Sequence, residues 1–187
     1  MSQVIAAAGA SPESQERLAA NVRLKSFAAG EFLIRQGERA SNLYLISQGL
    51  AKMFYITADG KEFVKSFIAE GQFSGSLVAL MEGGESTFSS VCLEPVSAEV
   101  VSYDAFAALI EDDPGMLNFG YRFFQGLALK KERREHDFLC LTPQDRYRQF
   151  VEENPHLAER VTQADIARYL GITPVALSRI RGRLKTS

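Results

Sequence analysis

The sequence predicts an α+β protein with an N-terminal antiparallel β-barrel or jelly roll, a long helix and a small C-terminal helical domain. Three observations predict this class. Short apolar segments separated by glycines fill the first half, a long proline-free stretch follows Pro114, and capped helical segments end the chain. We expect a barrel domain at residues 1–111, the long helix at 112–141 and a helix-turn-helix domain at 142–187.

The first half has the pattern of short strands. Asp59-Gly60 lies between two apolar runs and is a strong hairpin signal. Regularly spaced short strands with glycine turns favour an antiparallel barrel or jelly roll. The segments rich in β-branched and aromatic residues are Glu31–Arg35, Asn42–Ile46, Leu50–Ile56 and Glu62–Ile68.

The middle of the chain is predicted to be helical. A short helix at Tyr103–Ile110 is expected to end in a turn at Asp112–Gly115, and apolar residues then recur at helical spacing over Met116–Phe138. A helix this long projects beyond a small barrel, so we favour a parallel helix pair in a homodimer over packing on its own barrel, although both can occur together. The predicted interface residues are Phe119, Phe123, Phe124 and Leu127.

Three capped helices are predicted near the C-terminus. Thr142-Pro143 opens a helix to Glu153, and a second helix spans Thr162–Leu170. Gly171 follows where a left-handed residue is needed, and Thr173-Pro174 opens the last helix, to about Lys185.

The last two helices have the residues that a helix-turn-helix requires. Ala167 is small at the crossing point, and the apolar seam consists of Ile166, Leu170, Ile172, Leu177 and Ile180. The alternative is a helical hairpin with a basic surface. Three arginines at alternate positions cannot share one face, so we expect some of them to contact base edges and others to contact phosphates. The candidate DNA-contacting residues are Thr162, Gln163, Thr173, Ser178, Arg179, Arg181, Arg183 and Lys185.

The charge distribution also favours nucleic-acid binding. The net charge is −2, but residues 160–187 contain six basic residues and one acidic residue, so they carry +5 and the rest carries −7. Phosphate neutralisation dominates affinity for DNA, so a basic end on an acidic body is typical of a DNA-binding appendage. A solvated basic tail is the other interpretation.

Composition excludes several other classes. With 46% hydrophobic and 24% charged residues, the chain is typical of a soluble globular protein, and its start lacks the features of a secretion signal. We expect a cytoplasmic protein. Two cysteines and two histidines at unrelated positions predict neither a disulfide framework nor a metal site, and no cofactor is expected.

From about Asn21 onward, the sequence resembles the Crp/Fnr superfamily of bacterial transcription regulators. The resemblance is carried by Phe27–Gly49, which reads FAAGEFLIRQGERASNLYLISQG and is similar to the family's G-E-x-L, G-E and L-Y-x-I-x-x-G pattern. It implies a barrel of the cyclic-nucleotide-binding fold that acts as a sensor, a dimerising helix, and a helix-turn-helix that reads a pseudo-palindromic operator. The implied partners are double-stranded DNA, a second copy of the chain and RNA polymerase.

Two departures from the family pattern concern its DNA contacts. Arg179 matches a retained arginine of the recognition helix, but Pro174 and Val175 replace the family's Arg-Glu pair, so base preference should differ. Three residues follow Leu184, so the chain looks most like a short subgroup without the β-wing of longer members.

The family's nucleotide cassette is also changed. Ser76 stands where the ribose-binding Glu is expected, Glu85–Ser90 has no arginine, and Ser66–Tyr121 contains nine acidic residues but no Lys or Arg. A buried cyclic phosphate would lack the opposite charge that offsets its desolvation, so we expect no cyclic-nucleotide binding. The barrel then takes another small neutral or weakly polar effector, or serves as a scaffold. The predicted pocket residues are Phe73, Gly75, Ser76, Leu77, Thr87, Phe88 and Ser89.

Two other functions compete with DNA binding. A sensor module of the same fold could act on a protein partner, but that role would need an intact cassette rather than an intact helix-turn-helix. An enzyme is not expected, because no combination of nucleophile, base and orienting group can be named.

Overall fold

The computed structural model describes the backbone of residues 1–185 and the side chains of residues 1 and 3–184. Strands dominate up to Ser102 and helices follow. The elements in chain order are α1 (Ser2–Ala7), α2 (Pro12–Asn21), β1 (Arg23–Phe27), β2 (Phe32–Ile34), β3 (Asn42–Gln48), β4 (Ala51–Ile56), β5 (Glu62–Ile68), β6 (Phe73–Ser74), α3 (Leu77–Glu82), β7 (Ser89–Cys92), β8 (Val96–Ser102), α4 (Tyr103–Asp112), α5 (Pro114–Cys140), α6 (Pro143–Glu153), α7 (Pro155–Arg160), α8 (Gln163–Leu170) and α9 (Pro174–Lys185).

The strands form two four-stranded antiparallel sheets. Their orders are β1-β8-β3-β6 and β2-β7-β4-β5, so the strand domain is a two-sheet jelly roll and not a closed barrel. The predicted hairpin at Asp59-Gly60 is confirmed. β4 pairs with β5 from Ala51–Ile68 to Ile56–Glu62, and Gly60 turns the chain with a φ of 80°.

Three clusters of buried side chains hold the fold together. One fills the space between the two sheets, and a second joins the first sheet to α1, α2, α4 and the start of α5. The third packs the helix-turn-helix onto the outer face of the second sheet. Its fully buried members are Leu50, Phe54, Val64, Phe67, Phe150, Val161, Ile166, Ala167, Leu170 and Leu177.

The start of α5 differs from the prediction. Pro114 and Gly115, expected in a turn, form the first turn of α5, and only Asp113 separates this helix from α4. The Asp113 carboxylate accepts hydrogen bonds from the backbone N–H of Gly115 at 2.7 Å and from the Ser11 hydroxyl at 2.6 Å. Hydrogen bonds from Ser11, and after it from Ser14, hold the pKa of Asp113 well below its usual range. The cap thereby ties the N-terminal helices to α5.

Helix α5 is 27 residues long. At 1.5 Å per residue it spans roughly 40 Å, so it links the strand domain to the C-terminal helices. Within residues 1–185, no helix combines the length and apolar composition needed to cross a bilayer.

Candidate nucleic-acid interface and effector pocket

The predicted helix-turn-helix is present in the structure. Thr162 caps α8, with its hydroxyl accepting from the Asp165 N–H at 3.1 Å, and α8 ends at Gly171, which has φ 70° and ψ 29°. A side chain at Gly171 would also meet the Phe138 ring of α5, because its Cβ would lie 2.8 Å from the ring Cε1. Ala167 at the helix crossing is fully buried, as are four of the five seam residues predicted from the sequence.

Helix α9 presents a polar face to solvent. Arg179 and Arg183 are exposed and lie four residues apart, hence on one face of the helix, whereas Arg181 is half-buried on another. The three arginines therefore do not all share one face, as the sequence predicts. Thr162, Gln163, Thr173 and Ser178 are also exposed. The side chain of Lys185, also predicted to contact DNA, lies outside the described residues.

A buried ion pair joins the helix-turn-helix to the sheet. Lys52 of β4 is 9% exposed, and its Nζ donates to Asp165 Oδ1 of α8 and to Glu62 Oε1 of β5, both at 2.7 Å. Burial alone would raise the pKa of Asp165, but hydrogen bonds from Lys52 and Thr162 outweigh it and lower that pKa. The contacts with Lys52 and Thr162 thus favour the charged form of Asp165 inside the interface.

Two arginines extend this interface. Arg160, at the end of α7, makes a two-pronged contact with Glu70 at 2.9 and 3.0 Å, and these bonds lower the pKa of Glu70 to about 2. Arg134 of α5 donates to the backbone carbonyls of Val64 in β5 and Tyr169 in α8, at 3.1 and 3.0 Å. The sheet, α5 and the helix-turn-helix therefore share polar contacts around their apolar core.

The residues of the predicted effector pocket differ in burial. Ser76, Phe88 and Ser89 are buried, Phe73, Gly75 and Leu77 are half-buried, and Thr87 is exposed. Ser76 as a whole is 1% exposed, and its hydroxyl has no hydrogen-bond partner among the described atoms. Two cavities, of about 470 and 130 Å³, lie elsewhere and are lined by none of these seven residues.

Comparison with known proteins shows which proteins the chain resembles. Residues 24–113 match the model of the cyclic nucleotide-binding domain. The cAMP-activated global transcriptional regulator CRP of Salmonella typhimurium is 33% identical over 85 residues, which make up 46% of this chain and 40% of that protein. The fumarate and nitrate reduction regulatory protein of the same organism is 24% identical over 176 residues, covering 88% of this chain and 70% of that protein. Residues 24–113 therefore match a cyclic nucleotide-binding domain, and the chain is similar to regulators of the Crp/Fnr type.

The solved structure of FixK2 from Bradyrhizobium japonicum has the same fold. It superposes with a TM-score of 0.78 at 19% identity and covers 88% of this chain and 85% of that one. In sequence, by contrast, the alignment spans only about two fifths of the length of CRP. The whole arrangement of sheets, long helix and C-terminal helices is thus that of the FixK2 structure.

The interface predicted on the long helix stays a prediction, but two of its four residues also contact their own sheet. Phe119 and Phe123 pack against Phe73 of the sheet, with ring centroids 6.0 and 5.6 Å away, so they stabilise their own chain. Leu127 is half-buried, whereas Phe124 is exposed. The exposed apolar residues of this part of the helix are Leu117, Tyr121 and Phe124, of which Phe124 belongs to the predicted interface.

Sequence reasoning missed the contacts of two charged residues. Lys65 immediately precedes the cation-free stretch, and its Nζ lies 3.7 Å from the centroid of the Phe88 ring, so one cation does contact the predicted pocket. The sequence marks Asp165 only as part of a capped helix start, and its partner Lys52 is 113 residues away. The described residues contain no group of three or more His, Cys, Asp or Glu side chains that could hold a metal ion.

Proposed function

We propose that the protein is a cytoplasmic, homodimeric transcription regulator of the Crp/Fnr type that binds a pseudo-palindromic DNA operator. The observation that carries the proposal is the pair α8 and α9, joined by left-handed Gly171, with Arg179 and Arg183 on one exposed face. Double-stranded DNA and a second copy of the chain are the proposed partners, and RNA polymerase is a further one. No catalytic activity is part of the proposal.

Two further observations support DNA binding. The last 28 residues carry a formal charge of +5, which suits a phosphate backbone. The relatives named above are regulatory proteins, and CRP is a transcriptional regulator by name. The match to FixK2 extends over 88% of the chain, so it includes more than the sensor domain.

We further propose that neither cyclic AMP nor cyclic GMP is the effector. Ser76 replaces the carboxylate expected for the ribose, and Ser66–Tyr121 contains no cation for the phosphate. Lys65 is the one cation seen against the predicted pocket residues in the described chain, and it lies over Phe88. The strand domain therefore serves another effector, or acts as a scaffold for the dimer and the DNA-binding unit.

The test starts with operator selection from a random duplex library by the purified full-length protein. Two recognition helices related by a dimer axis should select half-sites about 34 Å apart, with a footprint of roughly 20 base pairs. Arg179→Ala should then cost about 1–3 kcal/mol at the selected site and relax its base preference. If no sequence is enriched, the proposal is wrong.

A matched substitution separates base reading from phosphate contact. Arg183→Ala, on the same face one turn later, should weaken selected and random DNA alike and lower the salt slope by about one. Gel shifts over a salt series give both values. Equal losses on selected and random DNA for Arg179→Ala would show that Arg179 only positions the backbone.

A further inference from the structure

The larger cavity lies where the strand domain meets the C-terminal helices. Its volume is about 470 Å³, within the range of small-molecule sites. β5 forms one wall, the second half of α5 another, and α6 and α8 close the remaining sides. The cavity is separate from the predicted effector pocket and from the exposed residues of α9.

The lining is strongly basic. Asp137 and Glu153 are its two acidic residues, against five basic ones: Lys65, Lys130, Arg133, Arg134 and Arg146. Within the described part of the chain, none of the five forms an ion pair with a carboxylate. The hydrogen bonds found for them go to neutral oxygens, as from Lys130 Nζ to the Ser66 hydroxyl at 3.4 Å.

Two of these cations are held at a cost in free energy. Burial, followed by repulsion from Lys131, lowers the pKa of Lys65 to about 8. Arg146 donates from Nη1 to the carbonyls of Phe138 and Leu141, but its buried Nε has no partner in the described structure. An anion in the cavity would supply the missing acceptor and offset the mutual repulsion of the cations.

We propose that this cavity binds a small organic phosphate. A phosphate group carries about two negative charges and three acceptor oxygens, so it balances the excess of three cations better than a single carboxylate does. Guanidinium groups such as that of Arg133 match phosphate geometry. The apolar lining, which includes Leu129, Leu157 and Leu170, suits the organic part of the ligand.

Such a ligand would bridge the sensor and DNA-binding parts of the chain. Lys65 belongs to β5, Lys130 and Arg133 to α5, and Arg146 to α6, which leads to the helix-turn-helix. Occupancy should therefore stabilise one position of the helix-turn-helix relative to the sheet. The resulting change in operator affinity rests on the proposed function, whereas ligand binding itself does not.

Calorimetry on the full-length protein without DNA tests the site. The probes are ATP, GTP and phosphoenolpyruvate, with citrate as a polycarboxylate and inorganic pyrophosphate as a phosphate without an organic part. We expect at least one organic phosphate to bind more tightly than citrate and pyrophosphate. Lack of binding by all three organic phosphates in the millimolar range would overturn the proposal, and so would equal binding of citrate.

A double substitution locates the binding. Lys130→Gln with Arg133→Ala removes two exposed cavity cations and should weaken the bound phosphate at least tenfold. Arg122→Ala, which removes an exposed arginine of the same helix outside the cavity, should leave affinity unchanged. Thermal melts check that both variants fold, and equal affinity for wild type and double variant would refute the site.

A DNA measurement separates this proposal from its main rival. The rival is that the same cations contact the DNA backbone. In that case the double variant would lose affinity for a random-sequence duplex at least tenfold in the absence of any organic phosphate, and the proposal would fall. Retained DNA binding together with lost phosphate binding supports it. Operator selection without ligand tests the proposed function independently.

Discussion

The buried ion pair between Lys52 and Asp165 allows a quantitative test of how the helix-turn-helix is held on the sheet. Lys52→Met keeps the apolar stem but removes the ammonium, leaving an Asp165 carboxylate that is only 5% exposed. Removing one partner of a buried pair typically costs about 3–5 kcal/mol. Asp165 keeps the Thr162 hydroxyl at 2.8 Å and Arg168 Nη1 at 3.1 Å, so we expect a smaller loss, about 2 kcal/mol.

Urea unfolding of Lys52→Met, Asp165→Asn and the double variant measures the coupling. Because Asp165→Asn removes the charge that Lys52 neutralises, the double variant should be more stable than the sum of single losses predicts, by about 1 kcal/mol or more. Arg17→Met, which breaks the exposed pair with Asp112, is the control and should cost under about 1 kcal/mol. A coupling below about 0.5 kcal/mol would refute the assignment of the pair as a stabilising contact.

The same pair gives a pH dependence with a defined sign. The folded-state pKa of Asp165 is lowered, so its contribution is fully present above the unfolded pKa of about 4 and is lost as pH falls through the folded value. The stability difference between wild type and Asp165→Asn should therefore shrink below about pH 4. A difference that stays constant down to pH 2 would contradict this account.

Two further predictions concern the dimer and the effector. Replacing Leu117 and Tyr121 together with Glu should produce monomers in sedimentation velocity, because both side chains are exposed apolar groups on α5; a wild type that is already monomeric at micromolar concentration would disprove the dimer. Calorimetry with cyclic AMP and cyclic GMP should show weak binding or none, because Ser76 replaces a carboxylate and no arginine follows it in the cassette; a low-micromolar dissociation constant would contradict this.

Local signals in the sequence were enough to predict most elements. The helix Pro143–Glu153 has the predicted bounds, because Thr142 caps it and Pro143 is at its first position. Strand β5 also has the predicted bounds, and Gly171 adopts the left-handed conformation expected after a helix. Each of these features depends on residues within a few positions of one another, so it can be predicted from the sequence without knowledge of tertiary contacts.

Contacts between distant segments could not be predicted in the same way. In the sequence, Lys52 is one residue of a strand and Asp165 is one residue of the first turn of a helix, so neither predicts an ion pair. The packing of α8 on the second sheet brings the two side chains together. The cavity cations are likewise spread over three elements. In the sequence, Lys130 and Arg133 are typical of a solvated helix face. In the structure they line one cavity together with Arg146 and Lys65.

The predicted dimer interface illustrates why a helical pattern alone does not identify what packs against each apolar face. Apolar residues on α5 extend around more than one face, because Phe119 and Phe123 are four residues apart on one side and Leu117, Tyr121 and Phe124 follow the same spacing on another. The periodicity predicts that both faces are buried, but it does not distinguish packing on the chain's own sheet from packing on a second copy. In the structure, the first face contacts the chain's own sheet through Phe119 and Phe123. The second face keeps Tyr121 66% exposed, so we expect the dimer contact to include this face.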